Sequence, residues 1–156
     1  SGGPQTAASF GIEYRDPKFW WIGANANYLA NNYLDVSALL RTQNFFRNPL
    51  DNEGLPFPEA TNERAKELLK QKEFNNFTLV NLTGGKSWKI KSSTFGFFAS
   101  LNNVFDIQYK TGGFEQARNA NFREVNQDVS SGTPAFAPKY FYGFGRSYFL
   151  NLYVNF

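Results

Sequence analysis

Residues 139–156 read KYFYGFGRSYFLNLYVNF, and this stretch decides the fold. From Tyr148 onward every second position is apolar or aromatic: Tyr148, Leu150, Leu152, Val154 and Phe156. The positions between them mix amides with aromatics: Phe149, Asn151, Tyr153 and Asn155. Because successive side chains of a strand point to opposite faces, this period of two predicts a strand with one apolar face and one mixed face.

A strand of this kind is typical of a transmembrane β-barrel, where apolar residues face lipid and mixed residues face the lumen. The mean hydropathy is only −0.47, and no stretch approaches the roughly 20 apolar residues of a transmembrane helix. The low average fits a barrel, because alternation halves the apolar signal. Aromatic residues make up 19% of the chain, more than a soluble core of this size needs. Aromatic girdles at the two membrane interfaces would use them.

The composition excludes several kinds of site. The chain has no cysteine, histidine or methionine, which removes Cys/His zinc sites, thiol nucleophiles, histidine-based triads and disulfides. The net charge of +3 is small, and the basic residues are scattered, so nothing indicates a nucleic-acid partner. We expect no enzyme activity and no cofactor.

Four further segments alternate in the same way, so the sequence predicts an all-β fold of five antiparallel strands. The expected strands are Thr6–Arg15, Lys18–Leu29, Phe77–Ile90, Thr94–Phe105 and Tyr142–Phe156. The connections at residues 16–17 and 91–93 are short turns, whereas those at 30–76 and 106–138 are long. Outer-membrane barrels combine short periplasmic turns with long extracellular loops. In the first long loop, helix formers at 59–74 and a possible N-cap at Thr61 predict a short helix.

The same alternation assigns side chains to two faces. The outward residue nearest the short turns is aromatic on every strand, which predicts a periplasmic aromatic belt of Tyr14, Trp20, Trp88, Phe95 and Phe156. The candidates for the lumen face are Glu13, Arg15, Asn25, Asn27, Phe98, Asn102, Asn151 and Tyr153. Lipid-facing residues should be exposed when lipid is absent: Phe10, Ile12, Ile22, Ala24, Phe97, Leu101, Leu150 and Leu152.

Two charged residues in the second half of the chain could be mistaken for a site. Asp106 follows a predicted strand, and we expect its carboxylate to make a turn bond to the backbone rather than to act in catalysis or hold a metal. Arg146 either meets lipopolysaccharide phosphates or lies beyond the bilayer, and the sequence leaves both open. Glu13 and Arg15 share a face at a spacing of two, which predicts either an ion pair in the lumen or a contact with a plug inside it, rather than catalysis.

Five strands cannot close a barrel, and open strand edges in lipid would leave backbone groups unpaired. The first residues, Ser1-Gly2-Gly3-Pro4, also lack the features of a signal peptide. We therefore expect residues 1–156 to be the C-terminal part of a larger barrel, with the remaining strands as partners.

Four motifs carry a resemblance to a known family: Leu101-Asn-Asn-Val-Phe-Asp106 with Tyr109, Thr111-Gly-Gly-Phe-Glu115, Gly145-Arg-Ser-Tyr148, and Asn32-Tyr-Leu-Asp-Val-Ser37 with Arg41-Thr42. Together they resemble the C-terminal end of the barrel in TonB-dependent outer-membrane receptors. The chain is most similar to the Bacteroidetes-type receptors that carry a carboxypeptidase-regulatory-like domain near the N-terminus.

The resemblance implies a barrel of about 22 strands whose lumen holds a plug; these strands would be the last five. It implies uptake of a scarce ligand with energy from the TonB complex, in the outer membrane of a Gram-negative bacterium. The implied partners are the remaining strands, the plug, the TonB complex, membrane lipid and lipopolysaccharide. Phe98, Tyr153 and the inward amides would then contact the plug.

Three other interpretations of the sequence compete with an uptake receptor. In the main alternative, a receptor-like barrel is a structural or interaction subunit of a larger outer-membrane assembly, with a surface lipoprotein or another protein subunit as its partner. A barrel enzyme is disfavoured by the absence of histidine. A soluble β-sandwich explains neither the aromatic belt nor the terminal phenylalanine.

Overall fold

The computed structural model describes residues 3–116 and 119–156 and is mostly β-structure. Its elements in chain order are β1 (Thr6–Asp16), β2 (Trp20–Ala30), α1 (Asn62–Leu68), β3 (Phe77–Ile90), β4 (Ser93–Asn102), β5 (Lys110–Phe114), α2 (Phe122–Ser130), β6 (Lys139–Tyr142) and β7 (Ser147–Asn155). Two short 3-10 helices, Leu39–Arg41 and Gln43–Phe45, precede α1. No helix among these described residues has the length and apolarity needed to cross a membrane.

The chain forms two compact units. The first, called the sheet unit, consists of Pro4–Asn32, Asn75–Tyr109 and Tyr142–Phe156. The second, called the loop unit, is built from the two long connections, Tyr33–Phe74 and Lys110–Phe141.

The sheet unit contains five antiparallel strands in the order β1-β2-β3-β4-β7. The prediction of five antiparallel strands is therefore confirmed. The two predicted short turns are confirmed as well. In the first, the Asp16 carboxylate accepts a hydrogen bond of 2.8 Å from the Lys18 amide, and Phe19 adopts the left-handed backbone conformation. In the second, Lys91 is left-handed between β3 and β4.

Two strand boundaries differ from the prediction by more than two residues, and the others agree to within two. The fourth strand was expected to reach Phe105, but β4 ends at Asn102 because Asn103 turns left-handed with φ 50°. The fifth strand was expected to begin at Tyr142, but β7 begins at Ser147. The amide of Arg146, just before β7, donates to the Asp106 carboxylate at 2.7 Å instead of to a neighbouring strand.

The predicted helix of the first connection is confirmed but is shorter than the helix-forming stretch at 59–74. Helix α1 has seven residues. The Thr61 hydroxyl accepts a hydrogen bond of 3.2 Å from the Arg64 amide, so Thr61 is the N-cap that the sequence predicts.

The second connection contains structure that the sequence analysis did not predict. Strands β5 and β6 form a separate two-stranded sheet, and α2 lies between them in the chain. A capping box starts α2: the Asn121 side chain accepts from the Glu124 amide at 3.0 Å, while the Glu124 carboxylate accepts from the Asn121 amide at 2.9 Å. The Asn-x-x-Glu spacing is visible in the sequence and could have indicated this helix.

The loop unit has a hydrophobic core of its own, to which both long connections contribute. Its buried members are Leu40, Phe45, Phe57, Ala65, Phe122 and Val125. The rings of Phe45 and Phe122 meet edge to face with their centroids 5.9 Å apart. These side chains come from both connections, so the two predicted loops are one packed structure rather than two independent excursions.

Candidate functional site

The strand register sorts the sheet residues into two faces. One face, called the apolar face, carries three ladders that cross all five strands, Ile12–Ala24–Leu82–Leu101–Tyr148, Tyr14–Ile22–Gly84–Ala99–Leu150 and Asp16–Trp20–Lys86–Phe97–Leu152, and a partial ladder, Trp88–Phe95–Val154. Apart from Asp16, Lys86 and Gly84, every member is apolar or aromatic. The predicted outward residues therefore share one face.

About half of the residues in these ladders are exposed, and the rest are half-buried. Phe10 is 71% exposed and Leu152 is 75% exposed, and Ile12, Ile22 and Leu150 are exposed as predicted. The prediction of exposure was wrong for Ala24, Phe97 and Leu101, which are half-buried. Phe97 loses exposure partly because its ring lies 6.0 Å from that of Trp88. A continuous apolar patch of this kind marks a surface that contacts lipid or another protein.

The five residues of the predicted aromatic belt lie toward the end of the sheet where the short turns are. The rings of Tyr14 and Trp20 are 5.3 Å apart, and Trp88 is the cross-strand partner of Phe95. Phe156 follows directly after β7 and is fully exposed. All four belt residues that lie within strands are on the apolar face.

The opposite face, called the mixed face, carries all eight predicted lumen residues, at positions that the register places between the ladders of the apolar face: Glu13, Arg15, Asn25, Asn27, Phe98, Asn102, Asn151 and Tyr153. The predicted ion pair is confirmed, with Arg15 Nε 2.5 Å from Glu13 Oε1.

Toward the ends where the long connections leave, the mixed face is lined by amides and hydroxyls. The Ser9 hydroxyl donates to Asn27 Oδ1 at 2.8 Å, and the Asn81 amide group donates to Asn25 Oδ1 at 2.9 Å. These bonds join β1 to β2 and β2 to β3 through side chains, and they leave further donors and acceptors on an exposed polar surface.

Toward the short turns the mixed face is aromatic. The rings of Trp21 and Phe98 stack at 5.9 Å, and Phe149 continues the row 6.1 Å from Phe98. The guanidinium of Arg15 lies 5.7 Å from the Trp21 ring, within the range of a cation–π contact. Trp21 and Phe149 were missed as site residues, although they share the parity of the predicted lumen residues.

A buried asparagine fixes the end of β4. The Asn103 side chain donates to the carbonyls of Ile107 at 2.9 Å and Phe144 at 3.2 Å, and it accepts from the Ile107 amide at 2.8 Å. The carboxylate of Asp106, which is also left-handed, accepts from the Arg146 amide. The Asp106 carboxylate therefore bonds to the backbone, as expected, but the predicted turn bond was wrong, because its partner Arg146 is distant in sequence.

An arginine and a glutamate connect the two long connections within the loop unit. Arg41 binds Glu115 through two hydrogen bonds, of 2.8 and 2.9 Å, and it also donates to the Leu69 carbonyl at 2.6 Å. The amide of Ser37 donates to the same carboxylate at 2.6 Å. The pair is mostly shielded, with 27% and 15% of the two side chains exposed. A bidentate pair is stronger and more directional than a single contact.

A second ion pair, between Arg123 of α2 and Glu59, is more exposed. Arg123 Nε lies 2.6 Å from Glu59 Oε1. The hydrogen bond from the Arg123 guanidinium lowers the pKa of the Glu59 carboxyl, and the same bond raises the pKa of Arg123. The guanidinium of Arg123 also lies 4.3 Å from the Phe57 ring centroid.

Among residues 3–116 and 119–156, no group of three or more acidic, histidine or cysteine side chains is arranged to hold a metal ion. Comparisons of the chain with protein-family models, curated protein sequences and solved structures give no match. The residues and their geometry are therefore the basis for the function proposed below.

Proposed function

We propose that this chain is the C-terminal part of the barrel of a TonB-dependent outer-membrane receptor, which takes up a scarce ligand with energy from the TonB complex. The apolar face would contact lipid and the mixed face would line the lumen. The proposal rests on the resemblance of the sequence motifs and on the placement of aromatic residues in the sheet.

The main support for the proposal is a shift in the position of the aromatic residue from one strand to the next. The hydrogen-bonded ladder through Tyr14 reaches β4 at Ala99, but the belt residue on β4 is Phe95, four residues nearer the short turn. At the other end of the sheet, the ladder through Tyr148 reaches β2 at Ala24, four residues from Tyr28. Both rows shift by four residues across three strand pairings, and both shift in the same direction.

This shift measures a strand tilt. Four residues span about 13 Å along a strand, and three pairings span about 14 Å across the sheet. If both aromatic rows lie parallel to a membrane plane, the strands are inclined to the membrane normal by about 43°. Transmembrane barrel strands are tilted by about 35–45°. A soluble sheet has no reason to place aromatics in two parallel rows at this angle.

The spacing of the two rows agrees with a membrane-spanning strand. Trp20 and Tyr28 are the first and last of nine residues on β2, and Tyr148 and Phe156 bound nine residues at the end of the chain. A transmembrane β-strand needs about 9–11 residues. The aromatic rings would then lie at both interfaces with the apolar side chains between them.

The sheet needs further strands to be complete. Among the described residues, β1 pairs only with β2, and β7 pairs only with β4. Unpaired edge groups are not tolerated in lipid, so both edges would pair with the remaining strands of the barrel. The amides and aromatic rings of the mixed face would then face the plug and the path of the ligand.

The proposed uptake is tested by deleting the gene for TonB and measuring accumulation of growth-limiting nutrients in cells that carry the intact receptor. Uptake that requires the receptor should stop in the strain without TonB. Undiminished uptake would refute energised transport. Loss of a surface protein complex on deletion of the receptor gene, with nutrient uptake unchanged, would favour the assembly subunit instead.

A further inference from the structure

The loop unit contains a small cavity, partly open to solvent, that neither the predicted lumen nor the predicted belt includes. Its volume is about 110 Å³. The first connection contributes Leu34, Leu40, Leu68 and Leu69 to its wall, and α2 contributes Val125 and Val129. An apolar cavity of about 150 Å³ binds benzene, so this cavity accepts a slightly smaller apolar group of about four carbons.

The acidic and the basic residues around the cavity differ in whether other groups of the protein bind them. Its acidic residues are occupied: Glu115 is bound by Arg41 and by the Ser37 amide, and the Asp128 carboxylate accepts from the backbone amides of residues 135 and 136 at 2.7 and 2.9 Å. The charge of Glu115 is compensated by Arg41, whereas Asp128 keeps its negative charge with its oxygens occupied by backbone amides.

Two lysines also line the cavity, Lys70 and Lys72. Both are exposed, and neither forms an ion pair within residues 3–116 and 119–156. An apolar chamber next to unpaired ammonium groups matches a ligand that combines a short branched hydrocarbon with a carboxylate. The two lysines outnumber the one wall carboxylate that no cation compensates, Asp128, so the wall keeps a positive excess.

We propose that this cavity binds a carboxylate that carries a branched apolar group of about four carbons. Two sources offer this chemistry: a free short-chain acid, such as 4-methylpentanoate, and the C-terminal leucine of a peptide. The hydrocarbon would fill the space between Leu34, Leu40 and Val125, and the carboxylate would lie at the lysines. The inference does not depend on the membrane position or on energised uptake, since every lining residue belongs to the loop unit.

The test measures binding to the intact purified protein by isothermal titration calorimetry. The probes are 4-methylpentanoate, its neutral amide, the tripeptide Ala-Ala-Leu and the C-terminal amide of that tripeptide. An exposed pair between the ligand carboxylate and a lysine contributes only modestly to the free energy of binding. A carboxylate should therefore bind about fivefold more tightly than its amide. Tighter binding of the tripeptide than of the free acid identifies a peptide terminus as the source, and the reverse identifies a free acid.

Three variants locate the site. The double variant Lys70→Gln/Lys72→Gln should abolish the preference for the carboxylate over the amide, whereas Lys66→Gln, a control at an exposed lysine that does not line the cavity, should retain it. Val129→Trp should fill the cavity and abolish binding of all probes; Val129 is 47% exposed, so the larger ring can be accommodated at the mouth.

Several results would overturn the proposal. They are equal affinity of the wild-type protein for acid and amide, a carboxylate preference that survives the double lysine variant, and no saturable binding of any probe at millimolar concentration. If Val129→Trp unfolds the loop unit, the lysine variants decide the question alone, because their exposed side chains can be replaced without disturbing the core.

Discussion

Replacing Asn103 should destabilise the protein more than its position at a strand end would indicate. Its side chain is 4% exposed and takes part in three hydrogen bonds with the backbone of residues 107 and 144. At roughly 1 kcal/mol each, these bonds contribute about 3 kcal/mol. Alanine also fits the left-handed backbone less well than asparagine, which adds about 1 kcal/mol. Asn103→Ala should therefore lower the free energy of unfolding by about 3–4 kcal/mol.

The measurement is urea unfolding of the protein refolded in phospholipid vesicles, followed by tryptophan fluorescence. Asn102→Ala is the matched control, because its neighbouring side chain makes one weak contact of 3.5 Å with Ser147; it should cost less than about 0.5 kcal/mol. Asn103→Gly separates the two causes, since glycine tolerates the left-handed backbone and loses only the hydrogen bonds. Equal costs for Asn103→Ala and Asn102→Ala would refute the reasoning.

Leu152→Arg should cost about 2–4 kcal/mol in vesicles if the residue lies near the bilayer midplane, while Asn151→Arg on the mixed face should cost far less; equal costs would contradict lipid contact. Arg41→Ala should speed amide hydrogen exchange throughout the loop unit and cost about 2 kcal/mol, whereas Arg64→Ala removes an exposed helical pair and should cost about 0.3–0.5 kcal/mol. The lowered pKa of Glu59 means that its ion pair stabilises the loop unit above the ordinary carboxyl pKa of 4.5 and that this contribution is lost as the pH falls through the lowered pKa. The protection of amides at the start of α2, measured relative to their intrinsic exchange rates, should therefore decrease below pH 4.5, and this decrease should be smaller in Glu59→Gln.

The alternation of side chains predicted the sheet because it depends only on neighbouring positions in the chain. In a strand with one apolar and one mixed face, the side-chain pattern repeats every two residues, and this holds for any pairing partner. The predicted centres of all five strands and the two short turns are therefore confirmed, and the register places the two sets of residues on opposite faces of the sheet. The lipid and lumen environments assigned to the two faces stay predictions.

The strand ends could not be predicted, because distant residues determine them. Alternation continues through Asn103 to Phe105, but the bonds that turn Asn103 out of the strand reach Ile107 and Phe144. In the same way, residues 139–142 have the composition of the strand that follows them, yet they pair with β5. Nothing in the local pattern distinguishes the two partners.

The loop unit was missed for a different reason. Its core is assembled from short apolar groups that are far apart in the chain, so their packing could not be predicted locally. Phe122, Val125 and Val129 have the i, i+3, i+7 spacing of an amphipathic helix, but the burial of Phe122 against Phe45 and Phe46 depends on the other connection. The capping box of α2 could be read locally, but the Arg41–Glu115 pair and the cavity near it depend on tertiary packing.

Glycines shape the aromatic half of the mixed face. A Cβ on Gly85 would lie 2.8 Å from Trp21 Nε1, and one on Gly96 would collide with the Tyr153 ring. The bare backbone lets both rings lie across neighbouring strands, and it lets Trp21 stack on Phe98 over Gly85. A larger residue at either position would push the rings away from the sheet. The arrangement therefore gives the proposed lumen a flat aromatic wall near the short turns, while the amides form its polar wall toward the long connections.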